Sequence, residues 1–100
     1  MSLDRQEIET RIRALRDRLA WEGVTHVAMF GSRARGDQRP DSDLDLLIEV
    51  DDGRPFSLLD LIGVEHAIAD DLHVHVTATM RRSLPSRFQT EISPDIVEIF

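Results

Sequence analysis

One hundred residues with 41% hydrophobic content suffice for one modest core, so a single domain spanning residues 1–100 is expected. Nineteen acids against twelve bases give a net charge of −7, which argues against direct nucleic-acid binding, because phosphate neutralisation needs a basic surface. Cysteine, lysine and tyrosine are all absent, which excludes disulfides, thiolate metal sites, catalytic lysine and self-modification on tyrosine. No apolar run approaches the roughly 20 residues needed to span a bilayer. The first ten residues are polar and acidic, unlike a signal peptide, so a cytoplasmic location without membrane contact is expected.

Residues 4–22 read as an amphipathic helix, with Ile8, Ile12, Leu15 and Leu19 on one face, Asp4 as N-cap and Gly23 as stop. The helix carries Trp21 near its end and reads as a core helix. "VTHVAMF", 24–30, is a short apolar strand ending at Gly31, and "SDLDLLIEV", 42–50, is a second. Its alternation puts Leu44, Leu46, Ile48 and Val50 on one face and Asp43, Asp45, Leu47 and Glu49 on the other. A long helix over 57–70 opens at Ser57 with Asp60 three residues later, and Leu58, Leu61, Ile62, Ile68 and Ala69 form its expected core face. A third strand is expected over 71–79, with Asp71, His73, His75 and Thr77 on its polar face. The tail reads as a short helical stretch broken near Pro85, then a terminal strand over 95–100. The order describes an α/β or α+β chain: a small mixed sheet with helices on one face.

Asp43 and Asp45 are poor strand formers whose charges repel, so a divalent cation is the natural compensation. Two familiar motifs fail here. "GSRARG" has the spacing of a P-loop, but Asp37-Gln38 follows where Lys-Ser/Thr is needed. "DSDLDL" opens like an EF-hand, yet Leu46 stands at its glycine position and Asp52 at its closing glutamate. What remains is a strand ending in Gly31-Ser32, an arginine-bearing turn, and Asp-x-Asp on the next strand. Gly31 permits close backbone approach, and the free N–H groups and hydroxyl at Ser32 favour phosphate. The paired carboxylates can hold a Mg²⁺ ion that bridges phosphates.

"GSRARGDQRPDSDLDLLIEV" resembles the signature of the minimal nucleotidyltransferases of the DNA polymerase beta-like superfamily: Gly-Ser, Ala-Arg-Gly, then Ser-Asp-x-Asp-Leu and a hydrophobic strand. The resemblance implies that fold, with Gly31, Ser32 and Arg33 as nucleotide-binding residues, Asp43 and Asp45 as catalytic metal ligands, and Mg²⁺ and ATP as cofactor and substrate. Small members are often antitoxins paired with a HEPN-domain toxin, some of which transfer AMP onto a hydroxyl of that partner, so a hetero-oligomer is implied. One position departs. The family's third carboxylate falls at His75, within Val74-His75-Val76, and Asp71 lies about 13 Å away along an extended strand. His75 is therefore a third catalytic candidate, as a general base. The alternative is an antitoxin that neutralises its partner by binding alone.

Overall fold

The computed structural model describes residues 3–100. Four strands, β1 (Val24–Phe30), β2 (Leu44–Val50), β3 (Val76–Met80) and β4 (Val97–Glu98), form one sheet in the order β3-β2-β1-β4. β1 is antiparallel to both neighbours, and β2 and β3 are parallel, so the sheet is mixed. The parallel step is bridged by a helix, as such a connection requires.

One face of the sheet carries the main core. Ile8 and Ile12 from α1 (Arg5–Ala14), Leu19 from α2 (Arg16–Trp21), and Val64 and Ile68 from α4 (Leu58–Leu72) pack on Val27, Met29, Leu44, Leu46 and Ile48. The alternation expected for β2 holds: its even-numbered apolar residues all enter this core. The helix expected over 4–22 is interrupted at Leu15, whose N–H turns to the Ile12 and Arg13 carbonyls. The apolar stripe stays in phase across the break, so the pattern does not reveal it. Trp21, at the end of α2, is 85% exposed rather than part of the core. In α4 the buried face is Val64, Ala67, Ile68 and Leu72, which leaves Leu58 and Ile62 facing outward.

The third strand is shorter than its apolar alternation suggests. α4 runs on through Leu72 and is ended by His73 in a left-handed conformation (φ 56°), its N–H on the Ala69 carbonyl at 2.8 Å. Asp71 is therefore helical, and strand pairing begins only where the His75 carbonyl accepts the Leu44 N–H at 2.8 Å. β3 is an edge strand, and Glu65 of α4 reaches down to it: its Oε2 accepts the Ala78 N–H at 2.6 Å.

The opposite face is partly covered by α5 (Ser86–Ile92), flanked by 3-10 turns at Arg81–Ser83 and Ser93–Asp95. Ile92 packs on Ala28 and Leu47, with Phe30, Leu84 and Ile96 alongside. Leu47, the apolar exception on the polar face of β2, is what this helix rests on. The terminal strand is narrower than 95–100, although Ile99 and Phe100 still exchange backbone hydrogen bonds with Val27.

Candidate active site

The register of β1 on β2 sets the site. Phe30 lies opposite Asp45, so the chain leaves β1 at Gly31 directly beside that carboxylate. Gly31 has φ 77° and ψ −160°, a region only glycine adopts readily. A Cβ there would stand 2.5 Å from Asp45 Oδ2. Ser32 then begins α3 (Ser32–Arg35), a single turn that ends at Gly36, also at positive φ (84°). The Gly31 backbone and the Asp45 carboxylate thus lie close together, with no room between them for a side chain.

Asp43 immediately precedes β2 and Asp45 is its second residue. His75 Nδ1 lies 3.1 Å from Asp43 Oδ1, with the two side chains 77% and 50% exposed. The parallel pairing with β3 sets Thr77 beside Asp45. Asp45 has its carboxyl pushed above the usual carboxylate range, first by burial and then by the charge on Asp43, with Arg35 opposing. The donor set fits a divalent cation: hard carboxylate oxygens and solvent access for water or phosphate ligands. Among the described residues no group of three or more His, Cys, Asp or Glu side chains gathers to hold a metal.

The other candidates separate. Arg33 is 3% exposed, and its Nε and Nη2 donate to the Ser42 carbonyl at 3.0 and 2.8 Å. Arg35 is spent on Asp37 (3.1 Å) and Asp95 (3.4 Å), tying α3 to the turn after α5. Arg39 is exposed and contributes its backbone, whose N–H donates to Ser42 Oγ at 2.8 Å. Glu49 shares the face of Asp45 but is engaged by Arg81 at 3.4 Å, four residues farther along the strand. The sequence marks Thr77 only as a member of the third strand's polar face and does not single out Asp95. Thr77 follows from register alone, whereas nothing local marks Asp95 as a partner of Arg35.

The acids lie on an open shelf. A cavity of about 600 Å³ does flank α5, but its walls are Leu47, Arg81, Leu84, Gln89 and neighbouring residues, with neither acid among them. A glycine turn thus stands against a carboxylate at the edge of an exposed sheet face.

The nucleotidyltransferase domain family matches residues 12–99, and the chain belongs to it. Protein adenylyltransferase MntA of Thermococcus cleftensis is 32% identical over 98 residues, covering 94% of each chain. A solved chain described as a minimal nucleotidyltransferase superposes with a TM-score of 0.78 at 34% identity, covering 95% of both chains. The fold is also that of the MNT antitoxin complexed with a tri-AMPylated HEPN toxin from Shewanella oneidensis: TM-score 0.68, 17% identity, 95% of this chain and 71% of that one.

Proposed function

We propose that this protein binds ATP with Mg²⁺ and transfers AMP to a hydroxyl of a HEPN-domain toxin, acting as its antitoxin in the cytoplasm. The observation that supports this reading is the close approach of Gly31 to Asp45, which would set a turn with room for a triphosphate beside a carboxylate able to hold metal. The relationship to MntA and the shared fold of the toxin-bound antitoxin support the choice of acceptor.

Bound Mg²⁺ would neutralise the phosphates and polarise the α-phosphorus toward attack. Asp43 and Asp45 would hold it, and the Gly31 backbone leaves room for the triphosphate. Ser32 offers a hydroxyl and N–H to phosphate oxygens, and pyrophosphate leaves as the partner's hydroxyl attacks. His75, against Asp43 on the exposed side, stands where it can accept the hydroxyl proton. Most of the acceleration then comes from positioning and electrostatics. The open shelf leaves the acceptor side to be walled by the partner, which suits a modifying enzyme whose substrate is a folded protein.

A second reading is favoured by His75 itself. Imidazole is a weaker Mg²⁺ ligand than carboxylate, and this chain then neutralises its toxin by binding alone. Intact-mass spectrometry of the partner, after incubation with this protein, ATP and Mg²⁺, separates the two. A gain of one or more AMP units, lost with Asp43→Asn/Asp45→Asn, establishes transfer. An unmodified but inhibited partner establishes occlusion.

A further inference from the structure

We propose that Arg33 is a positioning residue for nucleotidyl transfer, locking the start of the catalytic strand to the turn that follows Gly31. The family resemblance implies it as a nucleotide contact. Among the described residues it is instead the one buried charged side chain, at 3% exposure.

Its partner explains why. Nε and Nη2 converge on the Ser42 carbonyl at 3.0 and 2.8 Å, and Ser42 is joined through that carbonyl to Asp43. The loop grips the same residue from its other side: Ser42 N–H donates to the Arg39 carbonyl at 3.0 Å, and Ser42 Oγ accepts the Arg39 N–H at 2.8 Å. Ser42 is thus a hub that links α3, the loop and β2. The first residue of α3 is Ser32, on the phosphate side of the site. The residue after the hub is Asp43, on the metal side.

Burying a guanidinium costs free energy unless its donors are matched, and Nη1 has no hydrogen-bond partner among the described residues. A smaller or uncharged residue would avoid that cost. What arginine alone supplies is a rigid planar fork, so two donors on one oxygen set direction as well as distance. Direction matters here because Gly31 and Asp45 already lie close together, and a slip of the strand would change the separation of triphosphate and acids.

The proposal rests on the transfer reaction above, and its test keeps the two apart. Arg33→Lys retains one donor to the Ser42 carbonyl, whereas Arg33→Met retains the bulk alone. Each is assayed with the partner for kcat and KM for ATP, with the folded fraction measured by urea titration. Calorimetry follows ATP binding with and without Mn²⁺. For misplacement of the acids, kcat falls about 100-fold in Arg33→Met and about 10-fold in Arg33→Lys, with KM for ATP changed less than about threefold. A rise in KM at unchanged kcat would make Arg33 a direct ligand and overturn the proposal. So would a rate loss that merely tracks the loss of folded protein. If the wild type transfers no AMP, the reaction fails on its own and calorimetry decides. Variants that bind ATP alone normally but lose the tightening caused by Mn²⁺ uphold the positioning role, and unchanged tightening refutes it.

Discussion

At the scale of single residues, function and stability pull against each other at Asp45. Its carboxyl is raised by burial and by Asp43, so the ionised form is held less comfortably in the folded chain than in the unfolded one. The sign follows directly: without metal, stability rises as pH falls through the raised folded value toward the ordinary carboxylate value, and is lower above it. Asp45→Asn should therefore raise the urea midpoint at neutral pH and flatten that pH dependence, while ending metal-dependent nucleotide binding. Gly31 behaves in the opposite sense. Gly31→Ala adds a Cβ 2.5 Å from Asp45 Oδ2 in a backbone region reserved for glycine. Denaturant titration should show a loss of about 1–3 kcal/mol, and calorimetry a loss of metal-dependent ATP affinity as the Asp45 carboxylate is driven aside. Both residues stand out in the sequence: Gly31 ends an apolar run ahead of an arginine-bearing turn, and Asp45 is an acid paired two residues from another, which is unusual in a strand. The burial of Arg33 was not legible there. An arginine in a polar loop carries no local mark of the carbonyl it will find nine residues on.

Among the elements, the ones that form for local reasons were read to within a residue or two. β1 is a short, largely apolar run with a glycine just after its end, and it spans 24–30 as expected. α4 begins where its capping box says, with Ser57 accepting the Asp60 N–H and Asp60 accepting the Ser57 N–H. Ser57→Ala should cost about 1 kcal/mol by thermal or urea unfolding. The hydrogen bonds from Ser57 hold the Asp60 carboxyl below its usual range, so their contribution is present above that range and lost as pH falls through the lowered value. The far end of α4 escaped sequence reasoning. His73 adopts a conformation that glycine usually supplies, and the alternating Leu72, Val74 and Val76 pattern reads as strand across the helix end. α5 was expected only as a broken helical stretch, since its place across the sheet depends on Leu47 and Ala28, residues distant in sequence.

Over the whole molecule, a mixed sheet with three helices on one face leaves the other free for chemistry, except where α5 crosses it. That division was visible from the alternation of β2 alone, because every second residue is either core or acid save Leu47. What remained hidden is how the exposed edge of the sheet is protected. β3 ends the sheet, and the unpaired N–H of Ala78 is taken by Glu65 from the helix above. A carboxylate on that donor denies it to the carbonyl of any incoming strand. The β3 edge is thereby blunted against growth, since an incoming strand would have to displace Glu65 before pairing at Ala78. Glu65→Ala should unlock the edge. Light scattering at rising concentration would show self-association that the wild type resists, and an equally monodisperse variant would mean that the strand's shortness is protection enough.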